Sequence, residues 1–173
     1  MKTFKIGLLS LVLSIIFVLL ISFYNSKPNT NSTDFTKINY AEEVDSELKP
    51  YLDKFLRDLN NFEIIYKIPK TIILKLKNLD KKELTRHSHA ISLGFNQNDL
   101  VEIYINTDSW NSFNKTQRYY VIYHELCHDI LNLDDLIESD RNYGQIMYPK
   151  LSKYDNLKMN DFITNLNELF SSL

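Results

Sequence analysis

Apolar positions fall into three kinds of pattern along this chain, and each predicts a different element. Residues 6–24 run without a charge and are nearly all Leu, Ile, Val and Phe. A helix needs about 20 such residues to cross a bilayer, and most signal-peptide cores are shorter. Residues 25–36 turn polar, rich in Asn, Ser and Thr, and read as a tether. From Val44 onward, apolar residues recur at three- and four-residue steps. Val44, Leu48, Leu52, Phe55, Leu59 and Phe62 therefore share one face of a predicted helix, with Pro50 either kinking it or marking its true start. Shorter, β-branched runs follow at 71–77, 90–95 and 101–106, which predict strands. The last two flank the turn cluster Asn96, Gln97, Asn98 and Asp99. They either pair across it or stand apart in a mixed sheet. Asn114 with Gln117 matches a capping box, opening a helix that runs to about Leu131. An irregular stretch with Gly144 and Pro149 leads to a final helix with Phe162, Ile163, Leu166, Leu169 and Phe170 on one face. The order helix, strands, helix, loop, helix predicts an α+β domain with a small mixed sheet over 41–173, behind an anchor at 1–25 and a tether at 26–40.

Composition narrows the function classes. The chain has 173 residues, enough for one ordinary domain, and a net charge of −2 with both signs mixed throughout. No basic stripe stands out, which argues against a nucleic-acid surface. Lys2 and Lys5 precede the apolar run, no small-x-small cleavage site follows it, and no cysteine is placed there for a lipid. These features predict an uncleaved signal anchor with the domain outside the cytoplasm, periplasmic or extracellular; secretion after cleavage is the alternative. The single cysteine, Cys127, cannot form an intramolecular disulfide and reads as a small buried residue.

The chemistry concentrates at one place. Residues 120–128 contain His124-Glu125-Leu126-Cys127-His128 on the capped helix. Residues four apart share a helix face, so both imidazoles can reach one ion, and two neutral nitrogen ligands suit zinc. Glu125, beside the first ligand, can take a proton from water that the metal acidifies. The blander reading is two surface histidines without a metal; the helical pattern, the cap at its start and the apolar residues on the opposite face favour the site.

Two motifs resemble the metzincin zinc metallopeptidases. One is this His-Glu-x-x-His run followed by an acidic residue where the family's His-Glu-x-x-His-x-x-Gly-x-x-His/Asp pattern ends, at Asp134. The other is Gly144-Gln145-Ile146-Met147-Tyr148-Pro149, similar to the Met-turn of matrix metalloproteinases. His89-Ala90 and residues 105–110 with Trp110 resemble, more loosely, the edge strand and strand-plus-Trp segment of the same enzymes. The resemblance covers roughly residues 70–150. It implies a zincin fold, one catalytic zinc held by His124, His128 and Asp134, a Met-turn at Met147, and Tyr148 in the substrate pocket wall. An aspartate ligand has a parallel in snapalysins. The family glycine falls at Leu131; Asn132, which tolerates the left-handed conformation, can supply the break one residue later, and Asp135 is the second option for the ligand. His87 and His89 are too few for the second, structural zinc and read as surface or strand residues.

The expected function is zinc-dependent hydrolysis of peptide or protein bonds, with Glu125 as general base and the strand near residues 90–95 pairing with extended substrate. Two other readings compete. One is a metallohydrolase whose third ligand is a glutamate on a later helix, Glu168. The other is a membrane-tethered binding protein that keeps zinc as a structural staple.

Overall fold

The computed structural model describes residues 41–80, 89–93, 99–150 and 156–173. The apolar stretch, the tether, His87 and Gly94 lie outside them. Among the described residues no helix is long and apolar enough to cross a membrane. All described elements belong to one unit, Asn39–Leu173.

Alternation builds the sheet. In β4 (Leu100–Asn106), Val101, Ile103 and Ile105 are buried while the residues between them are not; in β2 (Thr71–Lys77), Ile72 and Leu74 play the same part. These two strands pair in parallel, with Ile72 opposite Val101 and Leu74 opposite Ile103. β1 (Ala41–Val44) adds in parallel to β2, and β3 (Ala90–Ser92) adds antiparallel to β4, giving the order β1-β2-β4-β3. The pairing that the sequence left open is thus settled: Ala90 lies opposite Ile105 and Ser92 opposite Ile103.

The helices are α1 (Lys49–Asn61), α2 (Thr107–Ser112), α3 (Lys115–Leu131) and α4 (Met159–Ser171). Val44 departs from the helix expected for it. It closes β1, and α1 begins at Lys49 with Pro50 in its first turn. A proline lacks only an N–H that the first turn would leave unpaired anyway, so Pro50 marks the true start. Segment 105–110 is strand only as far as Asn106; α2 then buries Trp110, whose Nε1–H donates to Glu47 at 3.0 Å. On α4, Phe162, Leu166 and Phe170 face inward as expected, but Ile163 is half exposed.

α3 is the centre of the unit. It touches β3 and β4 on one side, and α1 and α4 on others. Phe55 of α1, Tyr123 of α3 and Phe162 of α4 stack edge to face, with centroids 5.1 Å and 5.0 Å apart. Each ring, fully buried, stabilises the fold by roughly 1.5–3 kcal/mol. The Tyr123 hydroxyl donates to Asp58 at 2.7 Å, which also binds Lys54, so α1 and α3 share a polar bond inside the apolar contact. With so many neighbours, α3 is apolar nearly all round; the exception is the face bearing His124, Glu125 and His128.

Candidate metal centre

Caps at both ends fix α3. Asn114 accepts from the Gln117 N–H at 3.0 Å, and the Gln117 side chain accepts from the Asn114 N–H at 2.9 Å, closing the expected capping box. At the other end Asn132 adopts φ 52 and ψ 40, and the Leu133 N–H turns back to the Cys127 carbonyl at 3.2 Å. The chain leaves the helix there and doubles back along its polar face.

That turn decides the third candidate ligand. His124, His128 and Asp135 have ligand atoms close enough to share one ion. The two Nε2 atoms are 3.1 Å apart, and Asp135 Oδ1 lies 3.3 Å from that of His124 and 3.4 Å from that of His128. Asp134, the residue the family pattern points to, is not in this group; it lines the cleft beside it. The reason is one residue of register. The left-handed break falls at Asn132 rather than at position 131, and an acid three residues beyond the break is Asp135.

Both imidazoles are held by backbone carbonyls. Nδ1 of His124 lies 2.9 Å from the Ile146 oxygen, and Nδ1 of His128 lies 2.5 Å from the Leu133 oxygen. A carbonyl only accepts, so each Nδ1 carries the proton and each Nε2 offers a lone pair. Three electron-rich atoms therefore converge on one point. Burial lowers the His124 pKa, helped by the neighbouring His128. At His128 burial pulls the same way, but Asp135, the Leu133 carbonyl and Glu125 outweigh it and the pKa is raised. Asp135 is correspondingly lowered, first by its hydrogen bond with His128.

Glu125 is pushed up to about 7, chiefly by burial, with Asp129 and Asp135 adding to the rise and His128 opposing it. A dication held at the cluster would draw it back toward the ionised form. Behind the cluster, residues 144–148 form a tight turn. Gly144 has φ +87, its carbonyl accepts from Tyr120 Oη at 2.8 Å and Asn165 Nδ2 at 2.6 Å, and the Tyr148 N–H reaches the Gln145 carbonyl at 3.1 Å. Met147 is buried in this turn, and its carbonyl accepts from the Leu136 N–H at 2.8 Å. Since the Ile146 carbonyl holds His124, the turn is bonded directly to a candidate ligand.

Other expected residues fall elsewhere. Tyr148 is 3% exposed and packed edge-on to Tyr143. Glu168 of α4 lines a cavity of about 360 Å³ with Asp134, Leu136 and Met147, apart from the histidines. Glu138 is ion-paired with Lys150. His89 Nδ1 lies 3.0 Å from Ser109 Oγ and its ring meets Phe113, a local packing role. Cys127 is fully buried, which raises its thiol pKa. Two residues that sequence reasoning passed over also stand at the site: Ser92, which lines the cleft with His128, Asp134 and Asp135, and buried Asp129, which accepts its hydroxyl. The available signal was Asp129 itself, a charge on the apolar face that carries Ile122 and Leu126.

Comparison of the chain with protein-family models, with curated proteins and with solved structures gives no match in any of the three.

Proposed function

We propose that this protein is a zinc-dependent endopeptidase in which His124, His128 and Asp135 hold the metal and Glu125 is the general base. The observation that carries the reading is the triangle of lone-pair atoms, with edges of 3.1, 3.3 and 3.4 Å. A tetrahedral ion with bonds of about 2.0–2.1 Å sets its ligands about 3.3–3.4 Å apart. Two imidazoles favour zinc over calcium or magnesium, which prefer all-oxygen sets. Three protein ligands leave a position open, as catalytic rather than structural zinc requires.

Zinc bound there would polarise a carbonyl and acidify a water. The chain's own residues supply the rest. Glu125, adjacent to His124, takes the proton from the attacking water and passes it to the leaving amine. The carbonyls of Ile146 and Leu133 keep both imidazoles in the tautomer that binds metal. The edge of β3 that no described strand covers would offer backbone groups to an extended substrate, a mode that reads peptide rather than sugar or phosphate. The apolar run at 6–24 would anchor the domain at the outer face of a membrane.

The geometry gives the glutamate-ligand alternative no support, because Glu168 lies away from the cluster. Against a purely structural zinc stands the half-buried carboxyl of Glu125, which such a site does not use. Glu125→Gln separates the two. It keeps size but cannot accept a proton. Zinc content should be unchanged while hydrolysis of casein falls by about 10²–10⁴. Equal casein hydrolysis by the variant and the parent removes Glu125 as the base, and no hydrolysis by the zinc-loaded parent removes the protein from the peptidases.

A further inference from the structure

An extended peptide cleaved at this site would have to lie at a fixed distance from the metal, and among the described residues β3 pairs with a strand on one side only. β3 is bonded to β4 on one side. The Asn106 N–H donates to the His89 carbonyl at 2.9 Å, and the Leu93 N–H donates to the Glu102 carbonyl at 2.8 Å. Peptide groups alternate in direction along an antiparallel strand, so those of Ala90 and Ser92 face the open edge. Side chains alternate too. Ala90 is buried in the core, and Ser92, two residues on, points the same way, toward α3.

There the Ser92 hydroxyl donates to Asp129 Oδ1. Asp129 is 3% exposed and directly follows His128 in α3. Its carboxylate also accepts a backbone hydrogen bond from Glu102 of β4. One buried acid thus joins the last residue of the edge strand, the neighbouring strand and the site helix. Its other oxygen, Oδ2, has no hydrogen-bond partner. A buried, incompletely paired carboxylate costs stability that an apolar residue would not. What the acid adds is direction: it ties Ser92 to the residue beside a metal ligand.

We propose that Ser92 and Asp129 are positioning residues that fix the open edge of β3, and with it the register of a bound peptide, relative to His124, His128 and Asp135. Ser92 then acts twice, pairing with substrate through its backbone and with the site helix through its side chain. This role rests on the peptidase reading above.

The test compares two inhibitors on the zinc-loaded full chain. Acetohydroxamate reaches only the metal, whereas a tripeptide hydroxamate must also lie along β3. Ser92→Thr and Ser92→Val have nearly the same shape, and only threonine keeps the hydroxyl. Ser92→Val should weaken the tripeptide hydroxamate about tenfold, the loss expected for one hydrogen bond to a charged acceptor. Its zinc content and acetohydroxamate affinity should match the parent, and Ser92→Thr should bind both inhibitors as the parent does. If Ser92→Val fails to fold, Ser92→Ala, which adds no bulk, makes the same comparison. Equal weakening of both inhibitors, or of neither, overturns the positioning role while leaving the peptidase reading intact. A parent that binds neither zinc nor acetohydroxamate overturns that reading, and this role with it.

Discussion

Replacing Asp135 by alanine removes one of three side chains around the proposed metal, and the geometry says how much that should matter. Its Oδ1 sits 3.3 and 3.4 Å from the two histidine nitrogens, completing one face of a tetrahedron. A full set of four zinc ligands is worth roughly 10–16 kcal/mol. Shared evenly, one ligand contributes about 2.5–4 kcal/mol, so its loss should raise the zinc dissociation constant by about 10²–10³-fold. Asp134→Ala is the control. It removes the same charge one residue away, from a side chain that is exposed and outside the triangle. The through-space loss of one exposed carboxylate should weaken binding less than tenfold. Zinc titration of the full chain against a chromogenic chelator measures both. A larger loss in Asp134→Ala than in Asp135→Ala would falsify the assignment of Asp135 as the third ligand.

Three further variants probe the frame around the site. Gly144→Ala meets no close neighbour, the nearest atom being Leu157 Cδ1 at 3.5 Å, but forces an L residue to φ +87; denaturant unfolding should show a loss of about 1–2 kcal/mol. Tyr123→Phe leaves Asp58 with Lys54 alone inside the α1–α3 contact, and the same measurement should show a loss of about 1.5–3 kcal/mol. The Asp99 carboxyl is lowered to about 2 by hydrogen bonds from Lys67 and Lys70. A lowered carboxylate contributes stability above its ordinary value, 3.8, and loses it as pH falls toward 2. Asp99→Asn should therefore flatten the stability profile between those values, and unchanged acid unfolding would show that the two lysines hold nothing.

Much of the fold was legible because local signals and tertiary needs agreed. The capping box at Asn114, the alternation of β4 and the buried stripe of α4 each follow from residues close in sequence. β1 was not legible: Ala41-Glu42-Glu43-Val44 has no alternation, and Val44 stands four residues before Leu48, a helical interval. Its strand character comes from parallel pairing with β2, a partner about thirty residues away. At the site, the sequence located His124, Glu125 and His128, since helix spacing alone puts the two histidines on one face. It pointed to Asp134 with Asp135 second, whereas the structure groups Asp135 with the histidines, because the choice depends on which residue takes the left-handed turn. Position 131 is glycine in the family pattern, but here it is leucine, which stays helical, and Asn132 takes the turn.

The carbonyl bonds that orient the two histidines have a consequence for chain entropy. Residues 132–148 contain neither helix nor strand. Ordering such a stretch costs about 1–2 kcal/mol per residue, and no ladder of hydrogen bonds repays it. Besides the burial of Ile146, Met147 and Tyr148, ties to the helices hold it, among them His128 to Leu133, His124 to Ile146, and Tyr120 and Asn165 to Gly144. An ion shared by His124, His128 and Asp135 would add a cross-link at the start of this stretch, closing a short ring from helix to loop. Metal occupancy would then tighten the start of the segment, at Asp135, while the turn carrying Met147 keeps its own buried packing and backbone bonds.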